Sequence, residues 1–146
     1  MLDGLFVTPA VTAITEALRT ARTTGTLAVV GNAKLATALA AHHDVVPIGL
    51  SARAAKKLPR HLADFSTVEP TSLAAVIGVN VSTADDWQRV LAGWSRAVRD
   101  GGALIFVDRG HPHDASRRAL CAGLSEIEQR HAGRAVITSG LVSHLV

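Results

Sequence analysis

The sequence lacks the residue patterns that mark several protein classes. Its only cysteine, Cys121, allows no disulfide within the chain and no cysteine-based zinc cluster, so we interpret it as a buried structural thiol. No stretch approaches the ~18 uninterrupted apolar residues of a membrane-spanning helix. The opening residues MLDGLF do not have the pattern of a signal peptide. We therefore expect a cytoplasmic protein without a membrane partner.

Aromatic residues are also scarce, at 3% with no tyrosine, whereas 48% of the residues are hydrophobic. Such a composition, rich in Ala, Val and Leu, suits buried parallel strands under alanine-rich helices. The formal net charge of +3 is too small to indicate a nucleic-acid partner without a clustered basic face. With 146 residues, a single domain over 1–146 is expected, with an N-terminal helix over 1–25 and a sheet core over 26–146.

The stretch LAVVGNAKLATALAA, Leu27–Ala41, organises the predicted fold. It indicates a buried strand, a tight turn at Gly31-Asn32 and a helix over Lys34–His42. Ligands of open α/β sheets bind beyond the carboxyl end of such a strand, where the strand order reverses. The turn is therefore the first candidate for a binding site. Before it, Thr8 is predicted to cap a first helix that begins at Pro9.

The segment Asp44–Gly49 is predicted to be a second strand, short or peripheral because Pro47 lacks an N–H group. Ser51 is placed to cap a helix that runs to Leu58. One face of that helix would carry a basic stripe of Arg53, Lys56, Lys57 and Arg60. A solvated helix face is the favoured interpretation, and a surface for an acidic or phosphate-bearing partner is the alternative.

The remaining segments continue the β/α alternation and end in an antiparallel pair. A third strand is expected near Leu62–Phe65, and buried strands at Leu73–Val81 and Ala103–Asp108. The helix between the buried strands would bury Trp87, Val90, Leu91, Trp94 and Val98, and would end at Asp100-Gly101-Gly102. A helix capped by Asp114 over Ala115–Ala122 and a hairpin of Ser125–Arg130 with Ala135–Leu145 complete the pattern.

At SLAAVIGVNVSTADDWQRVLAGWSRAVRDGGALIFVDRG, residues 72–110, the sequence resembles the second half of class I S-adenosylmethionine-dependent methyltransferases. The strand that ends in Val79-Asn80-Val81, the amphipathic helix, the Gly101-Gly102 turn and the terminal hairpin carry the resemblance. It covers roughly Thr26–Val146. It implies an α/β, Rossmann-like fold with a mostly parallel sheet of seven or six strands, helices on both faces and a C-terminal antiparallel hairpin.

The resemblance also implies which residues would contact the cofactor: Gly31, Asn32, Gly49, Asp64 and Asn80. Asn32 is compatible with a left-handed turn, and Asp64 aligns with a polar residue that contacts the adenine.

Several cofactor positions depart from the family's pattern. The acidic residue of the first strand is Val29 here, and the second and third glycines of the loop are Ala33 and Leu35. Leu35 is expected to project into the space of the cofactor's methionine part. Gly49 stands where the family has an acidic residue that binds both ribose hydroxyls, and the acidic residue of the fourth strand is Ala74 or Ala75.

The polar loop His111-Pro112-His113-Asp114 follows the carboxyl end of a strand. Two histidines and a carboxylate in this spacing can bind a metal ion. A third ligand is not identified, although His144 or His42 could approach in three dimensions, so we expect an ordinary polar loop and no metal. In an enzyme, His111 or His113 would be the first candidate for a general base.

These departures favour a non-catalytic, methyltransferase-like binding or interaction module with no cofactor. We expect it to be a homodimer, or to bind an unidentified protein or small molecule. The alternative is an active small S-adenosylmethionine-dependent methyltransferase. A more distant alternative is a dinucleotide-binding or metal-assisted enzyme on the same scaffold.

Overall fold

A computed structural model of the protein describes residues 4–56, 58 and 60–144, with side chains from residue 9 onward. Helices and strands alternate along the chain. They are α1 Gly4–Thr20, β1 Leu27–Val30, α2 Ala33–Ala40, β2 Val45–Ile48, α3 Ala52–Ala55, β3 Leu73–Val79, a 3₁₀ turn Val81–Thr83, α4 Trp87–Ala97, β4 Val98–Asp108, α5 Pro112–Cys121, β5 Ser125–Ala132 and β6 Ala135–Leu141.

The strands form one mixed sheet of six strands in the order β2-β1-β3-β4-β6-β5. β2, β1, β3 and β4 are parallel, and β6 is antiparallel to both of its neighbours. The predicted α/β fold with a terminal antiparallel hairpin is thereby confirmed, with six strands in the described part of the chain. Because β1 lies between β2 and β3, the strand order reverses at the β1–β3 boundary.

Two layers of apolar side chains sandwich the sheet. α1 and α2 pack on one face, where Ile14 and Leu39 meet strand residues such as Ile77. α4 and α5 cover the opposite face, where Trp94 packs near the fully buried Phe106. Since both faces of the parallel strands are covered, β3 is apolar along its whole length, as buried parallel strands usually are.

The outer edge of the sheet at β2 is closed by Pro47 and the segment after α3. The N–H of Leu62 donates to the carbonyl of Pro47, and the N–H of Gly49 donates to the carbonyl of Leu62, both at 2.9 Å. The predicted third strand is thus reduced to a single parallel bridge between Ile48 and Leu62. The backbone of Pro47 faces away from β1, so the missing N–H of this residue removes no hydrogen bond between β1 and β2. The prediction of a short or peripheral strand was right.

The predicted boundaries of the first and third helices were wrong. α1 begins at Gly4, so Thr8 is not its cap and Pro9 lies inside the helix. α3 ends at Ala55, only four residues after its cap Ser51. The expected basic stripe therefore does not form on one helix.

The cations of that expected stripe separate in the structure. Arg60 turns to the sheet edge, where its guanidinium lies 2.7 Å from Asp44 Oδ1 and donates to the carbonyl of Val45. Lys57 lies outside the described residues, and Lys56 follows the end of α3.

The segment Asp100-Gly101-Gly102 was predicted to end a helix, but it lies inside β4. A Cβ on Gly102 would come within 2.5 Å of the carbonyl oxygen of Ala74, so glycine is what lets the two strands approach here. Val98 therefore belongs to the strand rather than to the buried face of α4, and Val90 is 36% exposed. α5 likewise begins earlier than predicted, at Pro112, and its cap position is His111 rather than Asp114. The prediction of a buried Cys121 was also wrong, since this residue is exposed at the end of α5.

Candidate functional site

The candidate site lies at the carboxyl ends of β1 and β3, beside the reversal of strand order. Gly31 follows β1 with a φ of +75°, which glycine adopts without strain. Its N–H donates to the carbonyl of Ile48 at 2.9 Å, which fixes the turn to the end of β2. A Cβ built on Gly31 would have no heavy atom within 4 Å, so the space beside this turn is open.

Asn32 is the cap of α2 and is extended, with φ −143° and ψ 108°, rather than in the left-handed turn that the sequence allowed. Its side-chain oxygen accepts a hydrogen bond from the N–H of Leu35 at 2.9 Å. The same capped turn points Leu35 into the core, where it is fully buried together with Val29. The expectation that Leu35 fills the cofactor space was therefore wrong, because the third residue after the cap faces the sheet and not the cleft.

Gly49 follows β2 with a φ of +71°. The nearest atom to a Cβ built there would be the carbonyl oxygen of Ala63 at 3.9 Å, so the chain at residues 63–64 passes beside the end of β2. Asp64 is exposed, and its carboxylate accepts a hydrogen bond from the N–H of Ser66 at 2.8 Å. Hydrogen bonding to Ser66, first from its side chain and then from this backbone N–H, lowers the pKa of Asp64. The carboxylate of Asp64 thus forms a hydrogen bond within its own turn.

Asn80 is the first residue after β3. It adopts a left-handed conformation, with φ 61° and ψ 33°, which asparagine tolerates better than most residues. Its N–H donates to the carbonyl of Val107 at 2.9 Å, and its side chain is exposed at the reversal of strand order. A non-glycine residue in this conformation is uncommon and is often found at functional sites.

Asp108, at the end of β4, is a buried carboxylate that was predicted only as the last residue of a strand. It is 1% exposed, and its Oδ1 accepts hydrogen bonds from the N–H of Ser82 at 3.0 Å and from the Ser82 hydroxyl at 2.7 Å. Its Oδ2 is buried without a partner among the described residues. Burial raises the pKa of Asp108. The sequence feature that could have indicated its role is the acidic residue at the end of a continuous apolar strand.

Arg118 holds the same 3₁₀ turn from its other side. Its guanidinium donates to the carbonyl of Val81 and, at 2.9 Å, to that of Ala84. It also lies 5.1 Å from the centre of the Trp87 ring, within range of a cation–π contact. Asp108 therefore accepts hydrogen bonds from an N–H and a hydroxyl of the turn that follows Asn80, whereas Arg118 donates to two of its carbonyl groups.

The histidine loop forms no metal site in the described part of the chain. His111 is in a left-handed conformation, and its Nδ1 lies 3.7 Å from Asp114 Oδ2, while His113 is exposed in the first turn of α5. His144 contacts the carbonyl of Val98 at 2.7 Å, at the opposite end of β4. Among the described residues, no three His, Cys, Asp or Glu side chains could together hold an ion.

The other candidate ligand, His42, lines a groove with Thr26 and Leu27 at the amino end of β1. This is the opposite end of the parallel strands from the histidine loop, so His42 does not approach that loop. No described helix has both the length and the apolar character that a bilayer crossing requires.

No family model and no curated protein matches the sequence. Its structure matches a chain of the Haloferax volcanii complex between the Trm112 methyltransferase activator and a protein assigned as a methyltransferase. The TM-score is 0.69 at 14% identity, over 99% of this chain and 100% of that one. It also matches an S-adenosylmethionine-dependent methyltransferase from Thermotoga maritima, with a TM-score of 0.71 at 14% identity, over 95% and 92%.

A third similar structure is the T. thermophilus 16S rRNA methyltransferase RsmC, solved with S-adenosylmethionine and guanosine. The TM-score is 0.60 at 17% identity, over 82% of this chain and 35% of that one. The predicted resemblance is confirmed at the level of the fold. The chain has the fold of class I S-adenosylmethionine-dependent methyltransferases.

Proposed function

We propose that this protein is a non-catalytic binding module that keeps the methyltransferase fold without the carboxylates that hold S-adenosylmethionine. The observation that carries the proposal is the end of β2, where Gly49 supplies no side chain to the ribose. Losing one charge-assisted hydrogen bond to a sugar costs about 1.5–3 kcal/mol. Asp64 does not replace it, since its carboxylate binds the backbone of Ser66.

The first strand supports the same conclusion. Val29, at the family's acidic position, is fully buried among apolar side chains. The candidate bases, His111 and His113, are both exposed on the protein surface. Gly31, Asn32, Gly49, Asp64 and Asn80 remain the predicted contacts of whatever the cleft binds.

Protein partners belong to this proposal as well. One structural neighbour comes from a complex with a methyltransferase activator, which supports a protein partner for this fold. We propose the cytoplasm as its location and either a second copy or another protein as its partner. A sizing experiment at several concentrations tests the homodimer, which predicts an elution position that shifts on dilution.

An active methyltransferase is the second candidate. The open space beside Gly31 and the burial of Leu35 favour it, because the steric obstacle expected at Leu35 is not in the cleft. If the missing carboxylates decide the affinity for S-adenosylmethionine, the protein is a binding module. If the retained space decides it, the protein is an active methyltransferase.

Calorimetric titration with S-adenosylmethionine and S-adenosylhomocysteine tests the proposal. We expect dissociation constants weaker than ~100 μM for both, which corresponds to about −5.5 kcal/mol. Gly49→Asp should then improve the affinity about tenfold to a hundredfold by restoring the ribose contact, with Gly49→Asn as the uncharged control. Tight binding by the wild-type protein would instead support the active enzyme.

A further inference from the structure

A groove of about 880 Å³ lies between α2 and α3, beside the carboxyl ends of β1 and β2. Lys34 and Thr37 line it from α2, and Ser51 and Arg53 line it from the other side, over a surface of alanines and Leu58. The described residues that line this groove include no carboxylate. Two of its lining residues, Ala33 and Ser51, each lie two positions after the glycine that follows β1 or β2.

Lys34 and Arg53 are exposed, and neither forms an ion pair with a described residue. Two other arginines show the contrast. Arg60 binds Asp44, and Arg130 lies 3.2 Å from Glu128. The two groove cations therefore form a local positive surface whose charge is not neutralised within the groove.

Ser51 adds a hydrogen-bond donor to these cations. Its Oγ accepts from the N–H of Ala54 at 3.2 Å, and a hydroxyl that accepts still has a proton to donate. Gly49, two residues earlier, contributes no carboxylate that would repel an anion. In open α/β sheets, an acidic residue near the end of the second strand binds the ribose hydroxyls, whereas a nearby arginine accommodates a phosphate on the ribose.

We propose that the groove binds a nucleotide with a phosphate on its 2′- or 3′-hydroxyl. Lys34 and Arg53 contact the phosphate, Ser51 donates a hydrogen bond to it, and the nucleoside lies over Gly31 and Gly49. The glycine that weakens S-adenosylmethionine binding is, in this arrangement, what admits the phosphate. This assignment rests on the proposed function, because it requires a cleft that does not hold S-adenosylmethionine.

Calorimetry on the intact chain tests the assignment with 2′-AMP, 3′-AMP, 5′-AMP, adenosine and inorganic phosphate as probes. We expect 2′-AMP or 3′-AMP to bind about tenfold or more tightly than 5′-AMP, adenosine or phosphate. Added salt should weaken that binding, since the contacts are partly exposed. Lys34→Gln and Arg53→Gln should each lower the affinity about tenfold or more.

Arg96→Gln is the matched control, because Arg96 is exposed on α4, across the sheet from the groove. It should leave the affinity unchanged. Equal affinity for 5′-AMP and 2′-AMP, or for phosphate alone, would overturn the ribose phosphate assignment. So would nucleotide binding that Lys34→Gln and Arg53→Gln do not change.

The same titrations separate this assignment from the proposed function. Weak binding of every nucleotide together with weak binding of S-adenosylhomocysteine would overturn the groove assignment alone. Tight binding of S-adenosylhomocysteine would overturn the proposed function, and the groove assignment with it.

Discussion

Asp108 and Ser82 are joined by two hydrogen bonds to a single carboxylate oxygen, although 26 positions separate them in the sequence. Both residues are buried, at 1% and 4% exposure. Through this pair, the end of β4 fixes the turn that follows β3. The position of Asn80, two residues before Ser82, therefore depends on a carboxylate from the neighbouring strand.

Asp108→Ala should lower the free energy of unfolding by about 1–3 kcal/mol, because it leaves the N–H and hydroxyl of Ser82 buried without an acceptor. Asp108→Asn keeps one acceptor oxygen and should cost less. Chemical denaturation with urea measures both. Asp85→Ala, at an exposed position nearby, is the control. A loss for Asp85→Ala as large as that for Asp108→Ala would contradict this role.

The raised pKa of Asp108 predicts a specific pH dependence. The folded protein holds this proton more tightly than the unfolded chain, whose aspartate pKa is near 3.8. The stability that protonated Asp108 contributes is therefore fully present below that pH and is lost as the pH rises through the folded value.

We expect the wild-type protein to lose stability relative to Asp108→Asn as the pH rises from 3.8 toward neutrality. Denaturation of both proteins across this range gives the difference. The lowered pKa values of Asp44 and Asp64 act with the opposite sign, but equally in both proteins, so they cancel. A difference that does not change with pH would show that burial does not perturb Asp108.

Leu35→Ala tests whether this residue belongs to the core or to the cleft. Because Leu35 is fully buried beside Val29, the substitution should cost about 2–5 kcal/mol of folding free energy. It should not improve binding of S-adenosylhomocysteine. Lys34→Ala, at the exposed neighbouring position on α2, should change stability little. Stronger cofactor binding by a stable Leu35→Ala protein would place the side chain in the cleft after all.

Gly78 and Gly93 form a matched pair around Trp94. A Cβ on Gly78 would lie 2.1 Å from Trp94 Cη2, whereas a Cβ on Gly93 would have no heavy atom within 4 Å. Gly78→Ala should therefore destabilise the protein by about 1–3 kcal/mol through overpacking. Gly93→Ala, inside α4, should stabilise it by about 0.5–1 kcal/mol. Thermal or urea denaturation of the two variants measures these opposite signs.

Most of the fold could be predicted from sequence because long apolar runs such as Leu73–Val79 and the glycine turn after β1 are local signals. Leu35 could not be placed, since its direction depends on the cap at Asn32 and on which face of α2 meets α1. The start of β4 was missed for a similar reason. Gly102 locally indicates the end of a helix. In the structure, however, it lets the backbone of Ala74 on the neighbouring strand β3 come close.

The candidate site was less predictable than the fold. The resemblance to methyltransferases implied Gly31, Gly49 and Asn80, and the structure shows a positive φ at all three, each just after a strand. Asp108 was missed as a site residue because its partner, Ser82, follows a different strand. The shared position of Lys34 and Arg53 could not be predicted for the same reason. The two residues lie on different helices, and only the fold places both beside one groove.

The proline in β2 also limits how copies of this chain can associate. A strand added at that edge would find no amide proton at Pro47, and the carbonyls of Val45 and Pro47 already accept hydrogen bonds from Arg60 and Leu62. Backbone pairing between two subunits at this edge would thus form few hydrogen bonds. Any continuous intermolecular sheet must instead begin at β5, at the far side of the molecule, which leaves the nucleotide groove accessible in such an assembly.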